Sequence, residues 1–283
     1  MSQSTPMPSE AAQSGPRPSK SEVAREMLGK MTFGEKMLLR FSKHPHDVER
    51  VPDYVKPSDE WTVETALTNY EEAFPNFREM ISGKRILDYG CGDGFQSVAM
   101  AKAGAASVMG VDLALPRLGF GRDLAKEHGL DNVTFGDKAD GEFDFVTTLN
   151  AVEHFVKPEE NLREMMASLA PGGKILATFG PPWRAPFGAH MTFFSSLPWM
   201  NILFSERTIY RVRSLYRSDG RMTHSPGMNK MTIKAFERLV KQCDLETEMR
   251  TYRVVKDLPL VGKLPVIREL LINQIDAILV PKG

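Results

Sequence analysis

Between Arg85 and Gly94 the chain reads Arg-Ile-Leu-Asp-Tyr-Gly-Cys-Gly-Asp-Gly: a short apolar run, then three glycines at alternate positions, one carboxylate before them and one among them. Few local patterns constrain a fold as tightly. Glycines in that arrangement let the backbone turn sharply, approach a ligand closely and enter a helix whose first N–H groups face that ligand. The segment therefore predicts a strand, a ligand loop and a helix in succession. From Lys84 to Phe179 apolar strand-like runs go on alternating with helical patterns. That alternation predicts a parallel sheet with helices on both faces.

The charges of the loop select among ligands. A pyrophosphate would meet Asp88 and Asp93, and the spacing Gly90-x-Gly92-x-Gly94 is not the G-x-G-x-x-G of dinucleotide sites. This argues against a nicotinamide oxidoreductase. A ligand carrying an ammonium and a sulfonium suits the two acids better, and S-adenosylmethionine is such a ligand. A second strand should then end in an acid that holds ribose hydroxyls, about 20 residues beyond the first glycine. Ser107-Val-Met-Gly-Val-Asp112 supplies it.

With these residues in view the chain resembles the class I S-adenosylmethionine-dependent methyltransferases. Ile86 to Gly94 looks like their first motif, and Asn132-Val-Thr-Phe-Gly-Asp137 like the third strand with its adenine-contacting acid. Phe143 to His154 looks like the fourth strand and substrate-facing loop. Leu162 to Ala170, then Pro171-Gly-Gly-Lys-Ile-Leu-Ala-Thr-Phe179, looks like the following helix, turn and fifth strand. The resemblance runs motif by motif over residues 84–180 and in outline over 231–281. It implies an α/β, Rossmann-like, seven-stranded and mostly parallel sheet with helices on both faces, closed by two strands at an antiparallel end. An N-terminal helical cap and a long insert after the fifth strand complete the expected architecture. The resemblance also implies roles. Asp88 would orient the methionine ammonium, directly or through water, and Gly90, Gly92 and Gly94 would allow close backbone contact. Asp112 would take the ribose hydroxyls, Leu113 would pack on the adenine, Asp137 would accept from its amino group, and Asn150 would lie beside the methionine part.

Composition bounds the rest. Lysines plus arginines number 36, as do aspartates plus glutamates, so no global basic field argues for nucleic-acid binding. Cys91 and Cys243 are the only cysteines and form no disulfide framework, which suits a reducing, cytoplasmic setting. The first twenty residues are rich in Ser, Pro and Gln, too poor in large apolar side chains to offset the entropy of ordering, and read as a disordered tail. They lack a secretory apolar core, and no transmembrane run of roughly 20 apolar residues follows. The expected plan is a tail over 1–20, a helical cap over 21–83 and a cofactor-binding domain over 84–283, with a lid or substrate insert at 180–230.

Within the cap, Ser19-Lys-Ser-Glu22 and Thr32-Phe-Gly-Glu35 have capping-box spacing and predict two helices. These lie either over the substrate opening or against the outer sheet face. A third helix is expected over Glu60–Ala73, and further helices over Val98–Ala103, Leu118–His128, Leu162–Leu169 and Thr232–Gln242. Thr247–Val254 and Ile275–Val280 read as the last strands.

The insert carries an apolar cluster of Phe193, Phe194, Leu197, Trp199, Ile202, Leu203 and Phe204. Three readings stand open: an acceptor pocket, a satellite core, or a surface for a membrane or for a second copy in a homodimer. Five arginines follow: Arg207, Arg211, Arg213, Arg217 and Arg221. They read as a solvated helix face, an anionic-substrate clamp or a nucleic-acid contact.

Methyl transfer from a sulfonium is an in-line displacement, so alignment in a dry pocket matters most, with a base or metal to deprotonate a hydroxyl nucleophile. Asn150-Ala-Val-Glu153-His154 is similar to the E-x-x-E-H segment of ubiquinone-type and small-RNA 2′-O-methyltransferases, whose three marked residues bind a divalent metal. Asparagine replaces the first glutamate. Three readings follow: a metal held by Glu153 and His154 with His190 or His224, His154 as general base beside a carboxylate, or a cap and pocket wall. The assignment adopted has Glu153, His154 and His190 as catalytic candidates and no metal. The function expected is methyl transfer from S-adenosylmethionine to a small-molecule or lipid-like acceptor at a hydroxyl oxygen. The alternatives are an RNA methyltransferase and a catalytically inactive cofactor-binding scaffold.

Overall fold

The computed structural model describes residues 17–50, 61–225, 227–254 and 265–283. Helices α1 (Lys20–Leu28) and α2 (Phe33–Arg40) begin at the two capping boxes. The Glu22 and Glu35 carboxylates accept from the backbone N–H of Ser19 and Thr32 at 2.6 and 2.7 Å. Of the tail expected over 1–20, residues 1–16 lie outside the described residues, and Lys20 already belongs to α1.

The third helix is shorter than expected. Residue 60 lies outside the described residues, 61–67 form turns, and α3 covers Thr68–Ala73. Thr62 and Thr65 bond each other's backbone N–H groups through their hydroxyls, a local arrangement that competes with helix. Phe74 is extended ahead of Pro75, as a residue before proline prefers. A further helix, α4 (Phe77–Ile81), follows that the sequence reading did not anticipate.

The alternation then unfolds as β1 (Arg85–Tyr89), α5 (Phe95–Lys102), β2 (Ser107–Val111), α6 (Leu115–Glu127), β3 (Val133–Gly136), β4 (Phe143–Leu149), α7 (Pro158–Ala167) and β5 (Leu169–Phe179). After the insert, with α8 (Met200–Leu203) and α9 (Glu206–Arg213), come α10 (Ile233–Gln242), β6 (Leu245–Val254), α11 (Pro265–Leu271) and β7 (Ile272–Pro281). The seven strands form one sheet in the order β3-β2-β1-β4-β5-β7-β6. β7 runs antiparallel to both of its neighbours, and the remaining pairs are parallel. This is the Rossmann-like arrangement expected. The turn expected at Pro171-Gly172-Gly173 instead lies inside β5, as a register shift against β4: Phe143 faces Leu169, but Phe145 already faces Lys174. A proline fits a strand at such a bulge because no ladder donor is required of it there.

Alternate side chains serve opposite faces, as the period of a strand dictates. Leu87, Ile175 and Ala177 join α7 and α10 in one core with Leu162, Met165 and Phe236. Ile86, Val108 and Leu176 join the other, with Tyr70, Phe74 and Phe77 of the α3–α4 region and Val98 of α5. The stretch read as one cap thus divides. Its 61–83 portion packs on the sheet, whereas α1 and α2 contribute Ala24, Leu38 and Leu39 to a third core with insert residues Phe194, Met200, Ile209 and Tyr216. For Phe194, with Phe193, Leu197 and Phe204 packed against the same core, the satellite-core reading describes what is seen, while Ile202 and Leu203 remain exposed.

Candidate active site

Strand order reverses between β1 and β4, and the crevice beyond the carboxyl ends of such strands is where open α/β sheets take their ligands. The glycine loop enters that crevice from β1. The Gly90 and Cys91 N–H groups donate to the Val111 carbonyl at 2.8 and 3.0 Å, fastening the loop to the end of β2. Two of its glycines are compulsory. At Gly90 (φ 79°) a Cβ would come within 2.7 Å of Ala151 Cβ. At Gly94 (φ 82°) it would meet the Phe135 ring at 2.7 Å and the Gly121 Cα at 2.8 Å. The loop, β3 and α6 therefore pack at backbone distance.

Two of the acids expected to serve a cofactor, Asp88 and Asp112, have protein partners. Asp88 is buried, with one oxygen accepting from Ser97 Oγ at 2.6 Å and the other from Thr147 Oγ1 at 3.4 Å. Burial raises its carboxyl to about 6, against the pull of those two hydroxyls. Asp112 accepts from the Gly92 N–H at 2.9 Å and the Ala114 N–H at 2.8 Å, so it shapes the loop while remaining only part-buried. Leu113 beside it is 83% exposed, and Asp137 is exposed at the end of β3. Asp93 faces Arg117, whose Nε lies 3.4 Å from Oδ1.

Asn150 terminates β4 in a left-handed conformation (φ 49°), which asparagine adopts more readily than most residues with a Cβ. Its backbone N–H donates to the Thr178 carbonyl at 2.8 Å, and its side-chain Oδ1 is buried without a hydrogen bond. The position thus has a backbone reason to be asparagine where the similar families carry glutamate.

A 3-10 turn, Val152–His154, follows. Glu153 is 1% exposed, and neither of its carboxylate oxygens has a hydrogen-bond partner. Burial drives its carboxyl up to about 8, with the nearby backbone of Glu153 itself and of Gly180 offsetting only part of that. His154 Nδ1 donates to the Gly227 carbonyl at 2.6 Å, which leaves Nε2 with its lone pair. Its ring is open to solvent, yet the surrounding protein mass pulls its pKa below the ordinary histidine value, aided by Arg221 and Arg117. Neither Glu153 nor His154 caps α7, which begins at Pro158 after Lys157.

His190 arrives from the insert, also with a left-handed backbone (φ 54°). Its Nε2 donates to the Pro181 carbonyl at 3.1 Å, freeing Nδ1, and burial lowers its pKa to about 4. The His154 and His190 rings meet edge to face with centroids 5.5 Å apart. One ligand atom from each of Glu153, His154 and His190 can be chosen so that all lie within 4.8 Å of one another. Fold closure has assembled a carboxyl group and two neutral imidazoles. His224 stands apart from this set: it is buried between Trp183 and Tyr210, and burial lowers it to about 4.

Sequence reasoning missed the residues that hold these groups. Ser97 and Thr147 engage Asp88. Asn229 clamps the 152–154 turn: its side chain donates to the Val152 and Phe155 carbonyls at 2.7 and 3.0 Å, and its N–H to the Glu153 carbonyl at 2.9 Å. Nothing local in the sequence marks it. The arginines are mostly structural. Arg213 pairs with Asp219 at 2.5 Å inside the protein, Arg211 lies 3.4 Å from buried Glu35, and Arg217 stacks on Phe193 at 3.8 Å.

A family model described as a methyltransferase domain matches residues 63–248. The chain is similar to the ubiquinone biosynthesis O-methyltransferase of Idiomarina loihiensis, 39% identical over 107 residues covering 35% of this chain and 44% of that one. Against the Bordetella pertussis protein of the same name it is 38% identical over 107 residues, covering 33% and 41%. The chain thus spans less than half the length of these curated relatives. Among solved structures, an S-adenosylmethionine-dependent methyltransferase from Mesorhizobium loti has a TM-score of 0.50 at 17% identity, covering 77% of this chain and all of that one. The [4+2]-cyclase SpnF has a TM-score of 0.51 at 14% identity, covering 83% and 87%. These two likenesses speak to the fold, and the second shows that this fold carries more than one reaction. Among the described residues no helix is long and apolar enough to cross a membrane.

Proposed function

The chain belongs to the methyltransferase-domain family, the class I S-adenosylmethionine-dependent methyltransferases, and we propose that it transfers the sulfonium methyl group to a hydroxyl oxygen of a small-molecule or lipid-like acceptor. The observation that carries this reading is the convergence of Glu153, His154 and His190 next to the glycine loop. S-adenosylmethionine supplies an electrophilic methyl group. The chain's own residues would hold and align it: the loop of Gly90, Gly92 and Gly94 would allow close backbone approach, Asp112 would take the ribose hydroxyls, Leu113 would pack on the adenine and Asp137 would accept from its amino group. Asp88 acts by fixing the loop through Ser97 and Thr147. Asn150 presents its buried, unpartnered Oδ1 on the methionine side.

On the acceptor side His154 takes the hydroxyl proton at Nε2 as the oxygen attacks. Its Nδ1–H, committed to the Gly227 carbonyl, fixes that tautomer. A pKa below the usual histidine value keeps the imidazole unprotonated and ready at neutral pH. Glu153 keeps its proton at neutral pH and is available to donate a hydrogen bond.

The trio's geometry also favours a metal reading. Two imidazole lone pairs and a buried, unpartnered carboxylate form an N,N,O donor set that suits a borderline divalent ion such as zinc better than magnesium. Such an ion would lower the pKa of an acceptor hydroxyl. Nothing favours an RNA acceptor or an inactive scaffold over transfer to a small molecule.

The test is His154→Ala. Calorimetry should find S-adenosylmethionine binding to it within a few-fold of wild type, while turnover of hydroxylated aromatic acceptors falls by roughly 10²–10⁴-fold. Turnover unchanged with cofactor bound would end the general-base reading. A rise in Tm on adding zinc, lost in His190→Ala, would favour the metal.

A further inference from the structure

Away from the crevice, α2 is apolar on two sides. Leu38 and Leu39 point into the third core, while Phe33, Met37 and Phe41, recurring every four residues along the opposite flank, face outward. Phe33 is 78% exposed and Phe41 is 52% exposed. The stripe does not stand alone. A Cβ at Gly34 would touch the Thr208 side chain at 3.6 Å and the Phe204 ring at 3.9 Å, so this flank of α2 borders the end of α8. There Leu203 is 62% and Ile202 51% exposed. Scattered exposed apolar residues are ordinary, but a bordered set of five is not.

Charge says what the surface fits. Lys30, Lys36, Arg40 and Lys43 are all exposed around the stripe, and among the described residues none of them forms an ion pair. Between Glu26 and Asp47 the sole acid is Glu35, which is buried beside Arg211. The patch is therefore apolar at its centre and cationic at its rim. It is also held rigidly to the insert that bears His190. The Lys43 N–H donates to the Phe194 carbonyl at 2.7 Å, Ser195 Oγ donates to the Phe41 carbonyl at 3.1 Å, and Ser42 and Ser195 form a bridge.

We propose that the outer flank of α2, with the end of α8, docks on an anionic lipid surface. Aromatic and aliphatic side chains enter the headgroup boundary, while the lysines and arginine meet anionic headgroups. A second copy of the chain is a poorer occupant. A two-fold contact would bring two such cationic rims together, and like charges opposed across an interface repel. The proposal goes beyond methyl transfer and does not depend on it.

The test is co-sedimentation of the full chain with vesicles of phosphatidylcholine alone or mixed with phosphatidylglycerol. Binding is expected only to the mixed vesicles, weakening as salt is raised. Lys36→Glu with Arg40→Glu should abolish it, at about fivefold or more per basic residue removed. Phe33→Ser with Leu203→Ser should lower it by roughly tenfold. All four side chains are exposed, so an unchanged Tm will verify that the variants fold. No binding to the mixed vesicles, or equal binding by all variants, overturns the proposal. So does sedimentation velocity that shows a dimer broken by the serine variant while vesicles stay unbound.

Discussion

The two walls of the crevice are built on opposite terms. On the cofactor side, the polar groups of β1 and β2 hold one another: Asp88 takes Ser97 and Thr147, and Asp112 takes two backbone N–H groups of its own loops. On the acceptor side, both carboxyl oxygens of buried Glu153 lack hydrogen bonds, and His190 sits in a left-handed backbone conformation. Buried groups left without partners and strained backbone cost free energy, and they persist where the surrounding structure enforces them. The difference suggests a division of labour. On the first wall Asp88 and Asp112 are already held by protein groups. The second holds bonding capacity that a proton, an acceptor or a metal can satisfy.

The comparison breaks most visibly if the cofactor wall tolerates side chains. Gly94→Ala would force a Cβ against the Phe135 ring and the Gly121 backbone at positive φ. A loss of roughly 3 kcal/mol is expected, read as a fall in Tm of roughly 6–12 °C for a chain of this size. A variant as stable as wild type would show that the loop can relax.

A smaller effect of opposite sign is expected on the acceptor wall. In metal-free protein Glu153 keeps its proton to about 8, whereas the unfolded chain releases it near 4.5. Across that window the folded state binds the extra proton, so stability falls as pH rises and levels off once Glu153 ionises in both states. Taken as the difference between wild type and Glu153→Gln, in which the opposing contribution of the histidines with lowered pKa cancels, this amounts to roughly 2 kcal/mol between pH 6.5 and 8. Glu153→Gln should remove the slope and be the more stable protein at pH 8 by urea unfolding. Parallel pH profiles for the two proteins would mean that Glu153 finds a partner in solution.

The smallest effect sharpens the comparison. Asp112→Asn leaves one acceptor oxygen for the two N–H groups of Gly92 and Ala114. It should cost about 1 kcal/mol of stability, with S-adenosylmethionine affinity by calorimetry falling on the order of tenfold. An unchanged affinity would place the ribose elsewhere.

The strand, glycine loop and helix of the proposed cofactor wall were legible in the sequence because their geometry is local. A strand, three glycines and an acid at the end of the next strand are read from adjacent residues, and the parallel alternation of strands and helices and the two capping boxes followed from periodicity and spacing, while the antiparallel end of the sheet was implied by the family resemblance. What reads locally less well is where competing short-range bonds win: Thr62 and Thr65 shorten α3, and a register shift absorbs the expected turn at Pro171. The acceptor wall was legible only as candidates. Glu153 and His154 were visible as a pair, but the approach of His190 and the clamp by Asn229 join residues 36 and 76 positions from His154 and Glu153 along the chain.

Sequence alone determined the class of fold, the loop and the strand-end positions of Asp88 and Asp112, since these depend on backbone geometry imposed over a few residues at a time. Tertiary structure decided which arginines are structural, that α1 and α2 pack on the insert and not on the sheet, and that one carboxylate and two imidazoles converge. Those outcomes depend on burial and long-range closure, which set the partners and protonation of each group and leave no local pattern to read.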